Sequence, residues 1–69
     1  MRDYLRKLRE KKAMTQQQAA DSIGITQQYY CMVETGERQQ KMDLHLAKKL
    51  AKTFSVPIEY ILENEEKIS

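Results

Sequence analysis

The sequence predicts an all-α fold, a compact bundle of five helices that forms one domain over residues 1–69. Only two glycines and one proline interrupt the 69 residues. Apolar β-branched residues rarely alternate with polar ones, so strands are not indicated. A chain of this length makes one small domain, and its small core favours a helical bundle over a large sheet.

The first helix is predicted from about Arg2 to Lys12. Within it, Tyr4, Leu5 and Leu8 recur at helical spacing and form an apolar stripe. This stripe is expected to face the core of the bundle.

The second helix is predicted over about residues 16–22. Thr15 precedes it and can accept a hydrogen bond from a free backbone N–H, and Gln18 completes a capping box. Gly24 follows the last turn, where a left-handed C-cap favours glycine.

The third helix is predicted over about residues 26–34, with Thr26 as its cap and Gly36 at its end. Tyr30 and Val33 lie three residues apart and are expected to face inward. A polar loop over residues 37–41 follows.

The last two helices are predicted from a second set of caps. Asp43 caps helix 4, and Pro57 fits the first turn of helix 5. Helix 4 has a predicted apolar face of Leu44, Ala47, Leu50, Ala51 and Phe54. Residues 63–69 are expected to be frayed or lightly attached.

Helices 2 and 3 form a predicted helix-turn-helix, because Ala19 and Ala20 allow them to pack closely around a tight turn. Such a pair can hold one helix against a DNA backbone and insert the other into the major groove. A glutamine can form a bidentate pair with adenine, and methyl groups can contact thymine. The candidate base-reading residues are Thr26, Gln27, Gln28 and Met32.

The candidate phosphate contacts are Gln16, Tyr29, Arg38 and Lys41. Charge supports this choice, since residues 1–41 contain eight Lys or Arg and five Asp or Glu. Residues 42–69 contain four basic and five acidic residues. A basic half suits phosphates, although a merely solvated basic face is the alternative.

Arg9 and Glu34 are the candidate structural ion pair, joining the ends of helices 1 and 3. Such a bridge would fix the angle between the helices. Two separately solvated charges are the alternative.

The residues quoted resemble the helix-turn-helix domain of phage Cro and repressor proteins, the Cro/repressor-type or Xre family. The resemblance covers roughly residues 2–62. Its marks are the opening of helix 2, the run Val33-Glu34-Thr35-Gly36 that closes helix 3, and the segment 51–62. It implies a lambda-repressor-like bundle with helix 3 in the major groove, and a buried Arg9–Glu34 bridge. The loop over 36–43 departs from the family in lacking a proline, and Ser55 stands where a glycine is frequent.

These observations predict a sequence-specific regulator of transcription, a repressor, that binds a double-stranded DNA operator as a homodimer. Candidates for the dimer surface are Tyr60, Ile61 and Ile68, and a place of Ile61 in the core is the alternative. The alternative is an antitoxin or another protein-interaction module with the same fold.

Other function classes find little support in the composition. One cysteine, Cys31, and one histidine, His45, offer no metal cluster and no nucleophile–base set, so we expect no enzyme and no cofactor. No apolar run is long enough to span a membrane, and no signal-peptide core follows Met1. We therefore expect a cytoplasmic protein with no membrane partner, and the residues indicate no small-molecule effector.

Overall fold

The computed structural model describes residues 1–68, and these residues form five helices without a strand. The helices are α1 (Asp3–Lys11), α2 (Gln16–Ile23), α3 (Gln27–Thr35), α4 (Leu44–Phe54) and α5 (Ile58–Ile68). The all-α, five-helix prediction is confirmed, and the boundaries of α2 and α3 differ from prediction by one residue.

Polar side chains begin the three middle helices by capping free backbone N–H groups. Thr15 accepts from the Gln18 N–H, and the Gln18 side chain accepts from the Thr15 N–H in return, which makes the capping box. Thr26 and Asp43 accept from the third residue of α3 and of α4 in the same way. The caps fix where each helix begins along the chain.

The core is one apolar cluster to which all five helices contribute. Its largest fully buried side chains are Tyr30, Leu5, Leu50, Ile61 and Val33. Because α3 supplies two of them, the core holds this helix by its inner face and leaves its opposite face to solvent.

Helix α4 buries Ala47, Leu50, Ala51 and Phe54 as predicted, and its stripe differs from the prediction only at the start of the helix. Leu44 is 54% exposed, while Leu46 is buried. Leu44 is the first residue of α4 and lies at the edge of the buried stripe, which is centred nearer to Leu50 and Phe54. The prediction that Leu44 belongs to the apolar face was wrong.

The chain after residue 62 is not frayed where the structure describes it. Helix α5 continues to Ile68, and Glu65 receives hydrogen bonds from Arg2 and Tyr4. The predicted loose segment was therefore wrong for residues 63–68, and Ser69 lies outside the described residues. Long-range polar contacts, which local sequence does not reveal, hold this end of the helix.

Candidate nucleic-acid interface

Small residues bring α2 against α3. Ala19 and Ala20 of α2 are completely buried, as are Tyr30 and Val33 of α3. Gly24 links the two helices with a φ of 75°, in the left-handed region that favours glycine. The N–H groups of Gly24 and Ile25 donate to carbonyls at the end of α2, at 3.3 and 3.0 Å. The turn is thus tied down, and α3 has a fixed direction.

The first turn of α3 points polar side chains into solvent. Thr26, Gln27 and Gln28 are all exposed. The Thr26 hydroxyl accepts from the Tyr29 N–H at 3.1 Å. Among the residues that the structure describes, neither the Gln27 nor the Gln28 amide forms a hydrogen bond within the protein. Both amides can donate and accept outside the protein.

Met32 lies four residues after Gln28 and therefore on the same side of α3. It is half-buried, as is Cys31. Met32 is thus less exposed than the other candidate base-reading residues, Thr26, Gln27 and Gln28. The polar part of this surface is confined to the first turn of α3.

The Arg9 guanidinium contacts the Glu34 carboxylate, with Arg9 Nε at 2.8 Å from Glu34 Oε2. A second Arg9 nitrogen lies 3.4 Å from Glu34 Oε1, and a third donates to the Met14 carbonyl at 3.0 Å. The hydrogen bond to Glu34 raises the pKa of Arg9. The pair fastens the end of α1 to the end of α3.

Gln16 lies beside this ion pair at the start of α2. Its amide nitrogen is 3.4 Å from Glu34 Oε1, and its side chain is half-buried. The amide thus belongs to the bridge, while the backbone N–H groups of Gln16 and Gln17 have no helical partners and that of Gln18 is capped by Thr15. A phosphate there would meet the free N–H groups and the second N–H of the Gln16 amide.

Tyr29 and the loop after α3 form a second connected group. The Tyr29 hydroxyl accepts from Gln39 Nε2 at 2.8 Å, and Tyr29 is half-buried. Arg38 and Lys41 are exposed in the same loop. The Arg38 N–H donates to the Met32 carbonyl at 3.2 Å, which attaches the start of the loop to α3.

Tyr30 is a buried residue with no role at the surface. Burial raises the pKa of its hydroxyl, and the neighbouring Glu34 carboxylate adds to the effect. Within residues 1–68 the hydroxyl has no partner at ordinary hydrogen-bond geometry. Its ring packs α3 into the core.

Sequence reasoning missed Arg2, Gln39 and Glu65. Arg2 is only 2% exposed, and it connects α1 to α5 and to the loop after α3. Glu65 follows buried Ile61 by four residues, a spacing that places both on one side of α5. That spacing was the available signal for Glu65, while nothing local in the sequence marks Arg2.

The described residues hold no group of three or more His, Cys, Asp and Glu that could bind a metal ion. No helix among residues 1–68 has the length and apolar character required to cross a membrane.

Known proteins resemble this chain over most of its length. The family model described as Helix-turn-helix matches residues 5–61. The "Uncharacterized HTH-type transcriptional regulator YqaE" of Bacillus subtilis (strain 168) is 34% identical over 63 residues, covering 91% of this chain and 53% of that protein. An "Uncharacterized HTH-type transcriptional regulator" of Archaeoglobus fulgidus is 34% identical over 68 residues, covering 96% of this chain and 94% of that protein.

The chain thus spans about half the length of the Bacillus relative and nearly all of the Archaeoglobus one. No solved structure matches it.

Proposed function

Because the chain belongs to the Cro/repressor-type helix-turn-helix family, we propose that it is a sequence-specific DNA-binding regulator of transcription. It binds duplex DNA with α3 in the major groove, and it represses by covering a promoter. One observation carries this proposal: Gln27 and Gln28 are exposed at the start of a helix whose opposite face is fully buried. Such amides can pair with base edges.

Reading bases requires a helix that does not shift. The ion pair between Arg9 and Glu34 and the buried alanines of α2 hold α3 in place. Thr26, Gln27 and Gln28 would contact base edges from the first turn of α3, and Met32 would lie beside a neighbouring base pair.

Phosphate contacts would flank the base-reading turn on two sides. Gln16 would contact one phosphate together with the N–H groups that begin α2. On the other side, exposed Arg38 and Lys41 would contact phosphates from the loop. Tyr29 would contribute its hydroxyl, which accepts from Gln39 and still has its own proton to donate.

We propose that the protein acts as a homodimer on a pseudo-palindromic operator, since one small domain makes few base contacts. Half-sites would lie about one helical turn of DNA apart. Exposed apolar side chains of α5 support a dimer surface there: Tyr60 is 41%, Leu62 43% and Ile68 51% exposed. Ile61, the third candidate, is completely buried, so it takes the alternative place in the core and not at this surface.

The proposal involves no catalytic step. A bacterium and an archaeon contain the two relatives reported above, and in such cells DNA lies in the cytoplasm. We therefore propose the cytoplasm as the place of action.

Selection of bound duplexes from a random DNA pool, followed by footprinting on the enriched sequence, tests the proposed function. The expected result is one enriched motif in two inverted halves, with symmetric protection. A pool that shows no enrichment would refute sequence-specific binding, and a single unsymmetric footprint would refute the homodimer.

A further inference from the structure

We propose that Glu65 and Arg2 form a clamp that holds the loop over residues 37–42 in the position from which it contacts DNA phosphates. Glu65 is thus a positioning residue for DNA binding, although it is acidic and belongs to the last helix. This proposal rests on the proposed function. It adds the residues that hold the phosphate-binding loop in position.

Arg2 uses all three of its side-chain nitrogens. Its Nε and Nη2 donate to the two Glu65 carboxylate oxygens at 2.8 and 2.9 Å, a bidentate pair. Its Nη1 donates to the carbonyls of Val33 at 2.6 Å and Arg38 at 3.2 Å. Nη2 also donates to the Gln39 carbonyl. One buried guanidinium therefore joins α5, the end of α3 and the loop.

The backbone of Arg2 is fixed as well. Its N–H donates to the Glu34 carbonyl at 2.7 Å. Because Arg2 is 2% exposed, water cannot replace partners that the guanidinium loses. The position of its planar group thus depends on the carboxylate that neutralises it.

Glu65 is oriented by a third residue. The Tyr4 hydroxyl donates to Glu65 Oε2 at 2.5 Å. Burial raises the pKa of Tyr4, and the hydrogen bond to Glu65 raises it further. Tyr4 therefore keeps its proton and remains a donor to the carboxylate.

Gln39 carries the connection from Arg2 to α3 and α4. Its φ of 56° lies in the left-handed region, which is unfavourable for a residue other than glycine. Its amide donates to the Tyr29 hydroxyl at 2.8 Å and accepts from the Asp43 N–H at 3.1 Å. The Arg2 contact to its carbonyl thus helps to hold a backbone conformation that the loop would not adopt alone.

Arg38 precedes Gln39, and Lys41 follows it by two residues. If the clamp opens, both cations lose their fixed positions, while Gln27 and Gln28 on α3 keep theirs. The inference therefore concerns phosphate binding and not base recognition.

Glu65→Gln is the test, with Glu63→Gln on the exposed side of α5 as the matched control. Removal of a negative charge should by itself strengthen binding to DNA, and the control is expected to bind as well as the wild type or slightly better. The clamp predicts the opposite sign for Glu65→Gln, roughly tenfold weaker binding with a salt slope smaller by about one unit. Fluorescence anisotropy with a labelled random-sequence duplex measures both.

Hydrogen exchange of the protein without DNA gives a second readout. The Arg38 N–H, which donates to the Met32 carbonyl, is expected to exchange at least about tenfold faster in Glu65→Gln, and at the wild-type rate in Glu63→Gln. Arg2→Lys is the second variant if Glu65→Gln does not fold. It keeps the net charge but cannot make the bidentate and loop contacts together, and it is expected to show the same two changes.

If the Arg38 N–H exchanges at the wild-type rate in a folded Glu65→Gln or Arg2→Lys protein, the clamp is overturned. Binding to the random duplex at least as tight as that of the wild type also overturns it. If the wild type binds no duplex, the proposed function fails, and the exchange rates still decide whether the clamp holds the loop.

Discussion

At the scale of single residues, Glu34 joins more elements than its neighbours in α3. Its carboxylate binds Arg9 of α1 and receives the Gln16 amide of α2, and its carbonyl accepts from the Arg2 N–H. The side chain is 4% exposed, and that of Arg9 is 14% exposed. A charge in such a position depends on its partner, since water is largely excluded.

Glu34→Gln is expected to destabilise the fold. Removing one partner of a buried pair costs about 3–5 kcal/mol, and the partial exposure of Arg9 puts the expected loss near about 3 kcal/mol. Urea denaturation measures it. Asp3→Asn is the control, because Asp3 pairs with Arg6 at 3.6 Å on an exposed surface, and its expected loss is below about 1 kcal/mol. Equal losses in the two variants would contradict a special role for Glu34.

Arg38→Ala is expected to weaken binding to all DNA sequences by a similar factor, because a phosphate contact carries no sequence information. The slope of log affinity against log salt should decrease by about one unit. Lys7→Ala removes the same charge from exposed Lys7 of α1 and is expected to leave the slope nearly unchanged. A loss for Arg38→Ala on one sequence only would contradict the phosphate assignment.

At the scale of elements, the starts of the three middle helices are what the sequence predicts best. A helix cap depends on residues three positions apart, so Thr15, Thr26 and Asp43 could be read from local sequence, and each caps its helix. Left-handed residues other than glycine give no such local signal, and for Ser55 only the glycine frequent there in the family indicated one. Ala13, Gln39 and Ser55 adopt positive φ, at 54°, 56° and 58°.

Ala13→Gly is expected to stabilise the protein by about 0.5–1 kcal/mol. Glycine avoids the left-handed penalty of about 1–2 kcal/mol, which is partly offset by its greater freedom in the unfolded chain. Thermal or urea denaturation measures the change. Lys48→Gly, at an exposed site inside α4, is expected to destabilise by about 1 kcal/mol. If Ala13→Gly also destabilises, the left-handed strain assigned to Ala13 is wrong.

The missed contacts at this scale are long-range. Glu65 lies 63 residues from Arg2 in the sequence, and no periodic pattern pairs two such distant residues. Leu44 was misassigned for a related reason, since the direction of the first residue of a helix depends on how the whole helix packs. Local patterns thus predicted the α2–α3 unit and not the attachments of the loop that follows it.

At the scale of the whole molecule, tyrosines contribute buried hydroxyls to a small core. Burial raises the pKa of Tyr4 and of Tyr30, and the nearby carboxylates of Glu65 and Glu34 add to the effect. In the unfolded chain these hydroxyls ionise near pH about 10. Their contribution to stability is therefore fully present below pH about 10 and is lost as the pH rises above it.

Above pH about 10, each such tyrosine is expected to reduce the free energy of unfolding by about 1.4 kcal/mol per pH unit. The free energy of unfolding of Tyr30→Phe should therefore fall less steeply with pH than that of the wild type, by about 1.4 kcal/mol for each pH unit. Lysines also titrate in this pH range, and they affect both proteins alike. At neutral pH the variant should lose little stability, because the Tyr30 hydroxyl has no hydrogen-bond partner among residues 1–68. Urea denaturation at several alkaline pH values measures the slopes, and identical slopes would contradict the burial argument.

The central claim for the whole molecule is that a firmly held α3 presents Gln28 to a base. The most direct measurement compares the DNA affinity of the wild type with that of Gln28→Ala. The duplexes are the selected operator and three variants of it, in which one base pair is replaced by each of the three alternatives. The wild type should prefer one base pair, and the variant should lose about 1–3 kcal/mol on the operator and bind all four alike at that position. An equal loss on operator and random DNA, with preference intact at every position, would contradict the claim.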